Sequence, residues 1–221
     1  MSEEKVLLVD DHPVFRDGIK HVLNDMLNIF LIDEADSGSE AFEKISQNDY
    51  DLLILDITMP GNNGLDILKE IRRRKPELPV LVLSMHSEQE YGLRVIRAGG
   101  SGYLTKASKA KELVGAVERV LNGGKYITNT LAEELAYDLE SSTKQTPVNI
   151  LLSDREYQVL RLIMKGSTIS EIAEQLFLSS STVYSYRINI FRKTRTRNNM
   201  ELIRYATQNK LVDMDDLDTI N

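Results

Sequence analysis

Five short apolar runs punctuate the first half of the chain: KVLLVD (5–10), IFLIDEA (29–35), DLLILD (51–56), PVLVLS (79–84) and GYLT (102–105), with starts 22 to 28 residues apart. Runs of this length, rich in Val, Ile and Leu, predict strands. Between them, apolar residues recur at helical spacing: Val14, Ile19, Val22 and Leu23, then Ala41, Phe42 and Ile45, then Leu65, Ile67, Leu68 and Ile71. Five strands alternating with helices predict a parallel, doubly wound sheet, because parallel neighbours need a crossover connection. The near-continuous apolar character of the first, third and fourth runs predicts a sheet covered on both faces.

The pattern changes after Leu121. NGGK reads as a helix stop, TNTLAEELAYDLE predicts a further helix near 128–140 with a polar face, and SSTKQTPVN has the composition of a linker. Helix-start signatures then crowd into about 50 residues. Ser153 with Glu156 and Thr168 with Glu171 have capping-box spacing, Asn198 with Glu201 is a looser version, and Ser179 is a candidate cap for one more helix. Apolar positions follow each signature: Val159, Leu160, Leu162 and Ile163; Ile172, Ala173 and Leu176; Val183, Tyr186 and Ile190; Leu202, Ile203 and Ala206. The reading is an α/β domain over 1–123, a connecting segment over 124–150, and a smaller all-α domain of four helices over 151–221.

Charge sharpens this division. The net charge of −7 argues against indiscriminate binding to nucleic acid, but it is unevenly spread. Residues 1–150 hold 17 Lys+Arg against 25 Asp+Glu, whereas 151–221 hold 10 against 9. Residues 175–200 carry Arg187, Arg192, Lys193, Arg195 and Arg197 and no acid. There is no cysteine, which excludes disulfides and thiolate metal sites. The start MSEEKVLLVDD lacks a signal-peptide pattern, and no apolar run approaches the roughly 20 residues that span a bilayer. A cytoplasmic protein with no membrane partner is expected.

Polar residues gather at the carboxyl ends of the predicted strands, where open parallel sheets bind ligands. Asp10 and Asp11 end the first, Asp56 the third and Ser84 the fourth, and Lys106 follows the fifth. Each acid alone reads equally as the cap of a following turn or helix. Together they demand more, since carboxylates about 4 Å apart repel by about 4 kcal/mol per pair at an effective dielectric near 20. Such a cluster holds protons or binds a cation, and all-oxygen donors favour a hard ion such as Mg²⁺ where phosphate is handled. A carboxylate in that position is able to accept a phosphoryl group as an aspartyl phosphate.

The stretches VDDHPVFRDG, LLILDITMPGNNGLDIL, VLVLSMHSE and AGGSGYLTK resemble the receiver domain of a NarL/FixJ-type response regulator, from residue 5 to about 122. The resemblance implies a flavodoxin-like sheet of order 2-1-3-4-5. It makes Asp56 the phosphoacceptor and places Mg²⁺ on Asp10, Asp11, Asp56 and the Thr58 backbone carbonyl. Lys106 and Ser84 would contact the phosphate. Tyr103 falls where the family has an aromatic switch residue, although it also reads as an ordinary half-buried strand tyrosine. Thr58 and His86 would tune dephosphorylation. His12, His21 and His86 are too scattered to suggest a metal site of their own.

LSDREYQVLRLIMKG, ISEIAEQLFLSSSTVYSYRINIFRK and RNNMELIRYA resemble a LuxR-type helix-turn-helix over residues 151 to about 208. Its recognition helix would run from about Ser180 to Lys193. With Val183, Tyr186 and Ile190 inward, Ser181, Tyr184, Ser185, Ile188 and Arg192 share the opposite face. By the resemblance, Tyr184, Ser185 and Ile188 would meet bases, and Thr182, Arg187, Arg192 and Lys193 phosphates. A solvated basic face is the plainer alternative. After Lys193 the family usually has Leu-Gly-Val, and this chain has Thr194, Arg195 and Thr196. Losing that glycine predicts an altered helix end near 194–197, with Arg195 and Arg197 adding phosphate contacts.

The expected function is therefore a phosphorylation-controlled transcription regulator. Its partners would be a sensor histidine kinase, double-stranded DNA and, when phosphorylated, a second copy of the chain. A receiver that works without phosphorylation is the alternative. A Mg²⁺-dependent aspartyl phosphohydrolase fits less well, because Thr58 stands where such an enzyme places its general acid.

Overall fold

The computed structural model describes residues 4–27, 31–59, 64–141, 152–209 and 211. The linker-like stretch SSTKQTPVN (141–149), apart from its first residue, and the turn at 60–61 lie outside the described residues. The chain divides into two compact units, Met1–Ala132 and Glu133–Asn221.

In the first unit, β1 (Lys5–Val9), β2 (Leu31–Ala35), β3 (Leu52–Leu55), β4 (Val80–Ser84) and β5 (Gly102–Thr105) form one sheet of order 2-1-3-4-5, parallel throughout. The helices α1 (Pro13–Leu27), α2 (Gly38–Gln47), α3 (Gly64–Arg74), α4 (Glu88–Arg97) and α5 (Ala110–Leu121) make the crossovers and follow β5. Every residue of β3 and β4 is buried, as unbroken apolar runs require, whereas Leu31 on the edge strand β2 is exposed. On one face Val6, Leu8, Ile54, Leu81 and Leu83 pack with Ile19 and Leu23 of α1 and Val117 and Val120 of α5.

On α1 one face assignment needs correcting. Val14, grouped with the inward residues of α1, is 86% exposed. It lies about 140° around the helix from Ile19, outside the stripe that Phe15, Ile19, Val22 and Leu23 occupy.

The chain beyond α5 turns at Gly123 and reaches the sheet edge, where Tyr126 bridges Gly102 in parallel sense. It then enters α6 (Asn129–Ser141), whose Leu131 is fully buried. In the second unit, α7 (Asp154–Met164), α8 (Ile169–Gln175), α9 (Ser180–Thr194) and α10 (Asn199–Gln208) pack around Leu160, Ile163, Ile172, Val183, Ile190 and Leu202. The caps read from sequence start them. Ser153, Thr168, Ser179 and Asn198 each accept the amide three residues on, the first two within complete capping boxes. Ile203, assigned to the core, is exposed instead, because Leu202 and Ala206 already fill the inward face one turn apart.

The predicted change at the end of α9 does not occur. Arg195 itself adopts the left-handed conformation (φ 57, ψ 32) that glycine would supply, and its amide donates to the Phe191 carbonyl. Thr194 takes the buried position expected of leucine, with its hydroxyl donating to the Ile190 carbonyl at 2.8 Å. The stop is thus kept at the cost of a left-handed non-glycine residue, about 1 kcal/mol. Arg195→Gly should therefore leave the stability of this domain unchanged within about 1 kcal/mol, whereas the β-branched Arg195→Val should lower it by about 1–2 kcal/mol. Denaturant unfolding of the full chain checks both.

Candidate functional site

Strand register builds the first site. Val9 pairs with Leu55 and Ser84 with Thr105, so the next residues, Asp10, Asp56 and Lys106, leave the sheet at one rim. Backbone bonds fix them there, with the Asp56 amide donating to the Val9 carbonyl at 2.8 Å and the Lys106 amide to Ser84 at 2.7 Å. The buried Lys106 ammonium then spans the two acids, 2.6 Å from Asp10 Oδ2 and 2.7 Å from Asp56 Oδ2, and lies over the Phe15 ring. Burial opposes the lysine charge, but its hydrogen bonds to Asp10 and Asp56 outweigh it and raise the lysine pKa above its ordinary value.

The other oxygens of Asp10 and Asp56 accept hydrogen bonds. Asp10 Oδ1 accepts the His12 amide at 2.8 Å. Asp56 Oδ1 accepts both the amide (2.7 Å) and the hydroxyl of Thr58. Asp11 is partly buried and lies 2.9 Å from His12 Nδ1. Candidate donor atoms of Asp10, Asp11, His12 and Asp56 all lie within 4.8 Å of one another. His12 thus joins a cluster from which the sequence reading left it out, although its place beside Asp10-Asp11 was the available signal. One buried ammonium faces three carboxylates, so the group keeps an excess of negative charge and oxygen donors. That donor set fits a hard divalent cation.

Ser84 and Tyr103 are fully buried and converge on the backbone of one residue. Ser84 Oγ accepts the His86 amide at 3.2 Å, and the Tyr103 hydroxyl donates to the His86 carbonyl at 2.8 Å. The His86 ring stacks on Tyr91 of α4, with centroids 4.8 Å apart. This junction was not foreseen, since a carbonyl acceptor carries no side-chain signature.

The second site is the outer face of α9. Tyr184 is 54% and Ile188 48% exposed, with Ser181, Ser185 and Arg192 beside them. The Ser185 hydroxyl donates back to the Ser181 carbonyl, and Arg192 donates to Asn189 of its own helix. Arg187 lies over the Phe191 ring, and the Thr182 hydroxyl is 2.7 Å from Ser179 Oγ. Lys193 differs from its neighbours. Its ammonium is 2.5 Å from the buried Glu156, the carboxylate of the α7 capping box. Burial raises the Glu156 pKa, but bonds from Lys193 and Ser153 bring it below the ordinary carboxylate value. Arg195 and Arg197 are exposed just past the helix end.

Among the described residues no helix is long and apolar enough to cross a membrane. Residues 6–118 match the response regulator receiver domain family, and residues 151–206 match the luxR family of bacterial regulatory proteins. The chain is 35% identical to the response regulator UvrY of Escherichia coli over 96% of this chain and 97% of that one. It is also 35% identical to the oxygen regulatory protein NreC of Staphylococcus carnosus, over 95% and 99%. Among solved structures it is similar to RcsB from Salmonella enterica serovar Typhimurium, bound to promoter P1flhDC in the presence of the phosphomimetic BeF3−. That likeness has a TM-score of 0.62 and 25% identity over 94% of this chain and 100% of that one. With a receiver domain that carries its acidic rim and a luxR-type helix-turn-helix beyond it, the chain belongs to the response regulators of two-component systems.

Proposed function

We propose that this response regulator controls transcription by accepting a phosphoryl group on Asp56. The observation that carries the reading is the Lys106 ammonium spanning Asp10 and Asp56 at the carboxyl end of the sheet. A sensor histidine kinase is the donor. The Asp56 carboxylate oxygen attacks phosphorus, the phosphorus–nitrogen bond of the phosphohistidine breaks, and the imidazole leaves with that electron pair. Lys106 then stands where an ammonium neutralises the transferred oxygens, and Ser84 is the hydroxyl that turns to them. Asp10, Asp11 and Asp56, with the Thr58 carbonyl, would hold Mg²⁺. When bound, the ion supplies charge neutralisation at the transferred phosphoryl group. Tyr103, bonded to His86, reports the movement of Ser84. Thr58 at the second position after Asp56 offers no general acid, which supports a switch over a phosphohydrolase.

On the DNA side, the outer face of α9 lies in the major groove. Tyr184, Ser185 and Ile188 meet base edges, with Tyr184 and Ile188 suited to thymine methyl groups. Thr182, Arg187, Arg192, Arg195 and Arg197 hold phosphates, and Lys193, already paired with Glu156, contributes least. A dimer of phosphorylated chains places two such helices in successive grooves about 34 Å apart. The division is then a receiver over 1–123, a connector over 124–150 and a DNA-binding domain over 151–221.

Incubation with Mg²⁺ and a small phosphodonor tests the first half. The expected result is one acyl phosphate per chain by intact mass, absent from Asp56→Asn and abolished by EDTA. Lack of uptake by the parent would favour a receiver that works without phosphorylation, and sustained phosphate release would favour a hydrolase. Lys106→Met should also cost about 3–5 kcal/mol of receiver stability, since it leaves buried carboxylates without their cation; urea unfolding measures this. For the second half, Arg192→Ala should weaken binding to all duplexes and reduce the salt slope by about 1, whereas Tyr184→Ala should chiefly reduce discrimination between sequences. Titrations at several salt concentrations separate the two.

A further inference from the structure

Gly92 sits inside α4, where a glycine costs about 0.5–1 kcal/mol relative to alanine. A Cβ there would stand 2.9 Å from Glu88 Cγ and 3.1 Å from Leu131 Cδ1, so the missing side chain is a notch that the fully buried Leu131 of α6 fills. One turn before it, Glu88 accepts the Thr128 hydroxyl at 2.5 Å. Burial raises the Glu88 pKa against the lowering effect of that bond. The Thr128 hydroxyl accepts the Leu131 amide in turn, so one group both caps α6 and ties it to α4. Tyr126 is fastened beside them, its amide donating to the Ser101 carbonyl at 2.8 Å. The connector is thus docked on α4 by two side chains and a bridge to β5.

The same end of α4 faces the phosphorylation rim. Ser84 Oγ holds the His86 amide, Tyr103 holds the His86 carbonyl, and the His86 ring stacks on Tyr91, next to Gly92. Glu88 is two residues further on. A phosphoryl group that draws Ser84 away releases the His86 amide and shifts the start of α4, which carries Glu88 and, one turn on, Gly92.

We propose that Glu88 and Gly92 of α4, with Thr128 and Leu131 of α6, form a latch that holds the connector to the unphosphorylated receiver and opens when Asp56 is phosphorylated. The inference rests on the Asp56 reading. Opening frees the start of α6, and with it the chain that leads to the DNA-binding domain.

Hydrogen exchange of the full-length protein tests this, read at the amides of residues 129–136 with and without Mg²⁺ and a small phosphodonor, and with phosphate uptake followed by intact mass on the same samples. Phosphorylation should speed exchange there about tenfold. Glu88→Ala and Leu131→Ala should show the fast exchange without phosphodonor and little further change with it, while uptake by Asp56 persists. Should Leu131→Ala fail to fold, Glu88→Ala alone carries the comparison, since it leaves the α6 cap intact. Uptake with unchanged exchange would overturn the latch and leave the Asp56 reading standing. Absence of uptake would overturn both.

Discussion

A single buried ammonium organises the receiver. Lys106 leaves β5 at the edge of the sheet, and its ammonium sits between Asp10 and Asp56 at the ends of β1 and β3, two buried acids that would otherwise face one another without a cation. Because the sheet is parallel throughout, the carboxyl ends of β1, β3 and β5 share the rim where these three residues stand. One positive charge set among three acids leaves the rim with an excess of negative charge. On the proposed reading, that residual charge draws a divalent cation to the rim, and a phosphoryl group on Asp56 changes the balance that Lys106 maintains.

The DNA-binding domain solves a different problem with local means. Its helices are short, and their starts are fixed by side-chain caps whose carboxylates are partly reused, as where Glu156 both closes the α7 capping box and holds Lys193 near the end of α9. That pairing ties the end of α9 to the start of α7. Tyr184 and Ile188 remain on the outer face of α9 although burial would be favourable for both. On the proposed reading, these two are held for base edges.

Most of the architecture was legible in the sequence because the central strands are buried on both faces and so appear as unbroken apolar runs, and because Ser, Thr and Asn with a glutamate three residues on mark helix starts. The acids, Ser84 and Lys106 were legible for the same reason: their places are set by where each run ends. Misreadings arose where a pattern was locally right but rotated, as with Val14 and Ile203, which lie one step off the inward stripe. The turn at Arg195 was misjudged because a left-handed arginine is strained but tolerable, and sequence reports preference and not the strain a fold accepts. The convergence of Ser84 and Tyr103 on His86, and the filling of the Gly92 notch by Leu131 from 39 residues away, depend on backbone acceptors and on packing between distant segments. Neither leaves a mark in a linear pattern.

The central claim is that the chemistry at the receiver rim sets the DNA affinity of the other domain. The most direct measurement is the affinity of the full-length protein for a duplex it selects from a random pool, taken at fixed salt before and after phosphorylation, for the parent and for Asp56→Asn. The account predicts tighter binding after phosphorylation in the parent and no change in Asp56→Asn. Equal affinity of the phosphorylated and unphosphorylated parent would contradict it.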